Sequence, residues 1–300
     1  MMRDELAKVL PEGHLLVQEH MSRHTTMKVG GPADYYAVAE NERELAALLQ
    51  ICRERACPFF LLGNGSNLLV SDEGYRGLII RLGGVFGEIR TDGTVICAGG
   101  GALLSAVGAE ATKNALSGME WGCQIPGTLG GALRMNAGTY GGEMKDIVRS
   151  VKVMDLDGNV RTLSGGEMEF GYRRSILITD PSIVLGAKLQ FQPGDSREIA
   201  EAVSEYGRRR REKQPLEYPS AGSTFKRPEG HFAGKLIQDA GLGGYRVGGA
   251  MVSTKHCGFV INEGHATAAD VYKVITDVQK IVKDRTGAWL EPEVILLGEF

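Results

Sequence analysis

The spacing of apolar positions changes from helical to alternating and back along the chain. After Asn41 and Glu44, which read as a helix N-cap and its reciprocal acid, Leu45, Leu48, Leu49 and Cys52 fall on one helical face. Pro58 closes that helix. Phe59–Leu62 is a continuous apolar run read as a buried strand, and Asp34–Ala39 is an aromatic and β-branched run before the helix, so the segment reads β-α-β. From Leu78 the strands come faster: Leu78–Leu82, Thr94–Ala98, Val148–Met154 and Ile183–Phe191. The turn residues Asp155 to Asn159 separate Val151–Met154 from Val160–Leu163 and predict a hairpin. Gln192–Ser196 breaks the pattern and reads as a domain boundary. Glu198–Lys213 then reads as a helix, and so does the stretch in which Val271, Val274, Ile275, Val278, Ile281 and Val282 share a face, with Thr267 and Asp270 capping its start. There is no internal repeat. Sheets interrupted by isolated helices make the class α+β.

Composition adds one strong signal. The chain carries 42 glycines in 300 residues, about twice the usual ~7%. They cluster in two loops, Gly63-Asn64-Gly65-Ser66-Asn67 and Ile125-Pro126-Gly127-Thr128-Leu129-Gly130-Gly131, the second running on to Asn136-Ala137-Gly138. Without a Cβ the backbone can approach a ligand closely, and successive N–H groups can converge on an anion. Two such loops suggest a cofactor with a pyrophosphate. A net charge of -3 leaves no footprint for nucleic acid. The 5 cysteines lack C-x-x-C spacing, which argues against a disulfide framework or a zinc site. No apolar run nears the ~18 residues of a membrane span, and the start lacks an apolar leader, so a cytoplasmic protein without membrane insertion is expected.

Several rival signals are weaker. Val95–Ala98 leads into Gly99-Gly100-Gly101 and the apolar helical stretch Ala102–Ala115, with Glu120 about twenty residues on, as in a dinucleotide fingerprint. The third glycine position is Leu104, however, and Glu120 sits between glycines rather than at a strand end. No glycine loop ends in Gly-Lys-Ser/Thr, and no Gly-x-Ser-x-Gly elbow occurs. The run Arg208–Lys213 reads as the solvated end of a helix, where cations suit the macrodipole. The 6 histidines show no metal-ligand spacing.

Three further clusters supply a cation, a hydroxyl and a carboxyl: Gly171-Tyr172-Arg173-Arg174-Ser175, Ala221-Gly222-Ser223-Thr224-Phe225-Lys226 and Leu290-Glu291-Pro292-Glu293-Val294. With the glycine loops and Thr25–Ala33, in this order, they resemble the UDP-N-acetylenolpyruvoylglucosamine reductases, flavoenzymes of peptidoglycan precursor synthesis. The resemblance covers almost the whole chain. The glycine loops alone indicate only the wider FAD-binding fold shared with vanillyl-alcohol-oxidase (PCMH) enzymes; the three later clusters narrow it.

The resemblance implies a two-part FAD-binding module plus a C-terminal α+β substrate domain. Residues 1–77, completed by 286–300, would form the first part, 78–196 the second and 197–285 the substrate domain. FAD would be held noncovalently between the first two parts, with the substrate domain closing over it, by Gly63, Asn64, Gly65, Ser66, Asn67, Pro126, Gly127, Thr128, Gly130, Gly131, Asn136 and Gly138. NADPH would reduce the flavin, which would pass hydride to the enolpyruvyl C3 of UDP-N-acetylglucosamine enolpyruvate. Arg173 and Glu293 match the positions that stabilise the resulting charge, and Ser223 the proton donor to C2. Tyr172, Lys213, Arg227 and His256 are substrate-contact candidates. A monomer with a small-molecule substrate, no metal and no nucleic-acid partner is expected. Gln124 and Gly243 stand where the family often has glycine and lysine, and the short C-terminal part matches the family's second type. The rivals are an FAD-dependent oxidase or dehydrogenase on the same fold, and a flavin- or nucleotide-sensing protein without turnover; the set Arg173, Ser223 and Glu293 argues against both.

Overall fold

The computed structural model describes Met2–Phe300. The chain forms two compact units and passes between them five times: one unit comprises the chain up to Leu16, Tyr35–Asn64 and Gly77–Arg208, the other Val17–Asp34, Gly65–Arg76 and Arg209–Phe300.

In the first unit, helix α1 (Met2–Val9) packs near α2 (Glu42–Glu54). Asn41 caps α2, its Oδ1 accepting from Glu44 N–H at 3.0 Å. The reciprocal bond shifts by one residue, Glu44 Oε2 accepting from Glu40 N–H at 2.8 Å. Leu45, Leu48, Leu49 and Cys52 are buried as the spacing predicts. They pack with Leu78, Ile80 and Leu82 of strand Tyr75–Leu82, which lies between Pro32–Ala39 and Phe59–Leu62. Phe59–Leu62 runs parallel to it, Phe59 opposite Leu78.

A second, five-stranded sheet follows the order Val160–Ser164, Val148–Met154, Ile183–Gln190, Val95–Gly99, Ile89–Asp92. The predicted hairpin is present, with Met154 opposite Val160. Its turn is closed by Asp155 Oδ1, which accepts from the N–H groups of Asp157 and Asn159, both at 2.9 Å. Strand Ile89–Asp92 was not expected. Val95–Gly99 is antiparallel to both its neighbours, so α3 (Leu104–Lys113) is no parallel crossover and the dinucleotide reading fails. The three glycines there serve close packing. A Cβ on Gly99, Gly100 or Gly101 would lie 2.2, 2.2 or 2.6 Å from the carbonyl oxygens of Phe86, Val184 and Leu82. Gln192–Pro193, at the expected break, pairs with Leu116–Ser117. Beyond the short α4 (Leu129–Arg134), α5 (Ser196–Lys213) carries the basic run, where Arg208 bonds Glu205 and Arg210 bonds Gln214, as suits a solvated helix end.

The second unit holds α6 (Ala233–Asp239) and α7 (Ala268–Thr286) with the antiparallel strands Arg246–Val247, Ala250–Val252 and Val260–Asn262. Thr267 and Asp270 form the expected capping box, and Gly287 at φ 76 ends α7 in the left-handed region. Val271, Val274, Ile275, Val278 and Val282 are buried against Ala250, Val252 and Val260. Ile295–Leu297 runs parallel to Leu68–Val70, with Ile295 opposite Leu68.

Candidate active site

Within the first unit the two glycine loops are laced together. Asn64 Nδ2 donates to the Pro126 carbonyl at 2.6 Å, and a Cβ on Gly63 would lie 2.7 Å from Thr128 Oγ1. Not every amide in the second loop is available to an anion. Leu129 and Gly130 donate to the carbonyls of Ala102 and Gly100, each at 2.8 Å, and Gly131 donates to the capping Thr128 Oγ1 at 3.4 Å. Gly130 and Gly131 therefore keep the backbone bare rather than supply donors. Gly65, in the second unit, sits at φ 61, and a Cβ there would lie 2.1 Å from the His24 carbonyl, so only glycine fits. Small residues, hydroxyls and closely fitted glycines are a donor set that suits a pyrophosphate-bearing cofactor.

Arg173 occupies a tight turn of the first unit. Gly171 N–H donates to the Arg174 carbonyl at 2.9 Å, and the reverse bond is 3.1 Å. Arg173 itself has φ 52. A non-glycine residue there costs roughly 1–3 kcal/mol and persists only where its surroundings impose it. They do: Ser175 Oγ donates to the Arg134 carbonyl at 2.8 Å, and Asn136 Nδ2 donates to the Gly171 carbonyl at 3.1 Å. The guanidinium lies 5.1 Å from the ring of Tyr172, which is itself exposed, and reaches the Gly138 carbonyl at 3.5 Å.

The second unit brings Ser223 and Glu293 together. Ser223 is exposed between buried Ala221 and Thr224. Thr224 is pinned on three sides: its N–H donates to the Gly258 carbonyl at 2.8 Å, its Oγ1 accepts from Val260 N–H at 3.0 Å, and its carbonyl accepts from Glu293 N–H at 2.8 Å. Lys226 N–H donates to the Glu291 carbonyl at 2.8 Å, and Phe225 pairs with Pro292. The serine segment and the carboxyl segment thus form one small backbone ladder. Asn67 Nδ2 holds its far side, donating to the Glu293 carbonyl at 3.0 Å. Asn67 therefore fixes the backbone that carries Glu293.

The other candidates are more dispersed. Lys213 is exposed at the end of α5. Arg227 stacks its guanidinium 4.0 Å from the Phe232 ring and donates to the His231 carbonyl. His256 is half-buried; its Nδ1 accepts from Gly258 N–H at 3.1 Å, and burial lowers its pKa from the usual 6.5. That bond requires an unprotonated Nδ1. Two residues of this region have no role from sequence. Thr26 Oγ1 donates to the Ser220 carbonyl at 2.6 Å, steadying the serine loop, while Thr224 acts through its bonds to the Gly258, Val260 and Glu293 segments. Only the hydroxyl beside glycines in Thr26-Met27-Lys28-Val29-Gly30 could have hinted at the first. Among the described residues no three His, Cys, Asp or Glu gather as a metal site, and no helix is long and apolar enough to cross a membrane.

A two-part α+β scaffold with glycine-lined loops defines an FAD-binding oxidoreductase, and an FAD binding domain model matches residues 33–164. The model of the C-terminal domain of UDP-N-acetylenolpyruvoylglucosamine reductase matches residues 214–297. The reductase of that name from Caldanaerobacter subterraneus subsp. tengcongensis is 51% identical over 99% of this chain and 98% of its own length, and the one from Lachnoclostridium phytofermentans 48% identical over 98% and 96%. The crystal structure of the Thermus caldophilus reductase superposes with a TM-score of 0.83 at 38% identity, covering 95% of this chain and all of that one. The chain belongs to the UDP-N-acetylenolpyruvoylglucosamine reductase family.

Proposed function

We propose that this chain reduces UDP-N-acetylglucosamine enolpyruvate to UDP-N-acetylmuramate for peptidoglycan synthesis, as a cytoplasmic monomer with noncovalent FAD and with NADPH as the reductant. FAD, when bound, supplies the hydride for the enolpyruvyl C3. Gly63–Asn67 and Gly127–Thr128 offer amide and hydroxyl donors for its pyrophosphate. Arg173 and the Glu293 carboxyl stabilise the negative charge that develops at C2 and its carboxylate, the term that most often dominates such catalysis. Ser223 delivers the proton to C2; a serine hydroxyl is a weak acid, but the carbanion it meets is a strong base. Tyr172, Lys213, Arg227 and His256 contact the sugar nucleotide. The three-part division at residues 77, 196 and 285 remains our reading of how cofactor and substrate duties are shared.

Beyond family membership, one observation carries this reading: the ladder that joins Thr224 to Glu293 sets a hydroxyl and a carboxyl on neighbouring backbones. The test begins with the absorption spectrum of the purified protein, followed by NADPH oxidation with and without the enolpyruvyl sugar nucleotide. A flavin spectrum and strict dependence on that substrate are expected. Rapid reoxidation by air in its absence would instead make the protein an oxidase.

A further inference from the structure

Asn136 is buried, 1% exposed, and adopts φ 42. Its amide has two N–H donors and one carbonyl oxygen. One donor goes to Glu143 Oε2 and to the Gly171 carbonyl goes the Nδ2 contact of 3.1 Å; Oδ1 accepts from Lys145 N–H at 3.0 Å. Glu143 is itself fixed. Its N–H donates to Asp146 Oδ2 at 2.9 Å, its side chain closes a capping box on the turn Met144–Asp146, and its Oε1 pairs with Lys145 Nζ at 2.8 Å. Glu143 also lies opposite Gly138 in a short antiparallel pair, and the Gly138 carbonyl is the one that faces Arg173. One small hairpin thus grips the Arg173 turn twice, by its backbone through Asn136 and by its guanidinium through Gly138. Asn136, the buried centre of this network, has both its donors and its acceptor satisfied, the condition under which a polar network specifies a single geometry.

We propose that Asn136 and Glu143 are positioning residues for Arg173: the Glu143 carboxylate orients the Asn136 amide, and the amide locks the Gly171–Arg174 turn in its left-handed conformation. Asn136 then serves the turn rather than the cofactor, since both its donors are spent on protein. The inference rests on the role proposed above for Arg173.

The experiment compares Glu143→Ala, Glu143→Gln and Arg173→Ala holoenzymes and the double variant Glu143→Ala/Arg173→Ala. Glu143→Ala should keep its flavin and the rate of flavin reduction by NADPH. Flavin oxidation by the enolpyruvyl substrate should slow about 100-fold, the scale of an ångström-level misplacement, in kcat rather than KM. Glu143→Gln, whose amide oxygen still accepts from Asn136, should recover most of that loss. Added to Arg173→Ala, Glu143→Ala should cost nothing further. Hydrogen exchange should show the Gly171–Ser175 amides losing protection in Glu143→Ala but not in Glu143→Gln. Unchanged protection, loss of flavin, or full additivity in the double variant would overturn the proposal. An Arg173→Ala enzyme with a normal oxidative step would overturn the reading of Arg173 instead, and the exchange data would still report whether Glu143 holds the turn.

Discussion

Ser223 shows what a single side chain can contribute when its neighbours do the holding. Thr224, not Ser223, makes the fixed bonds, so the hydroxyl can be removed with little strain on the ladder. Ser223→Ala should leave flavin reduction by NADPH near normal and slow flavin oxidation by the enolpyruvyl substrate about 100-fold, within the range of general acids. An unchanged oxidative half-reaction in stopped flow would remove Ser223 from the mechanism. His256 makes a prediction about pH. Its folded pKa lies below the ~6.5 of the unfolded chain because burial disfavours the imidazolium, so the native state binds fewer protons there. Its contribution to stability is whole above that value and is lost as pH falls through it toward the folded pKa. His256→Asn keeps an acceptor for Gly258 N–H but does not titrate. The melting temperature of the wild type, measured against this variant, should fall as pH drops from 7.5 to 5; a constant difference would assign His256 no part in acid sensitivity.

Elements with a long period were legible and short pairings were not. α2 and α7 repeat their apolar face over three or more turns and carry cap residues, so spacing alone placed them. Truncating the cap at Asn41→Ala leaves the Glu44 amide without its acceptor and should cost about 1 kcal/mol in urea unfolding; a loss near zero would mean that Glu44 and Glu40 alone close the helix start. The hairpin at Val148–Ser164 was legible because Asp155 and Gly158 mark its turn. Ile89–Asp92 was missed because four residues with alternate positions exposed do not rise above a loop, and Leu15–His20 because none of its six residues is buried and no alternation marks a face. The decoy at Gly99–Gly101 failed for a related reason. Glycine demanded by a passing carbonyl and glycine demanded by a phosphate look alike in sequence. At the candidate site, the clusters holding a cation, a hydroxyl and a carboxyl were legible as polar motifs, and the family resemblance supplied the roles proposed for them; Glu143 was not legible, because its bond to Asn136 exists only in the folded hairpin.

For the whole molecule, the FAD binding domain match at residues 33–164 takes in residues that the chain distributes over both units. A cofactor that binds only the folded state stabilises it by mass action, about 4 kcal/mol at a thousandfold excess over Kd. Stripping FAD should therefore lower the melting temperature, and adding it back should restore the temperature in proportion to the logarithm of its concentration. A melting temperature indifferent to FAD would mean that the cofactor also binds the unfolded chain or does not bind at all. The bond from Asn67 to Glu293 joins residues 226 positions apart, and the strand Leu68–Val70 that follows finds its parallel partner just as far along. During translation at ~5–20 residues per second, this loop leaves the ribosome roughly 11 to 45 seconds before its partner exists. Throughout that interval the nascent chain displays an apolar strand edge with nothing to pair with, a natural binding site for a chaperone and an opening for aggregation when many copies are made at once.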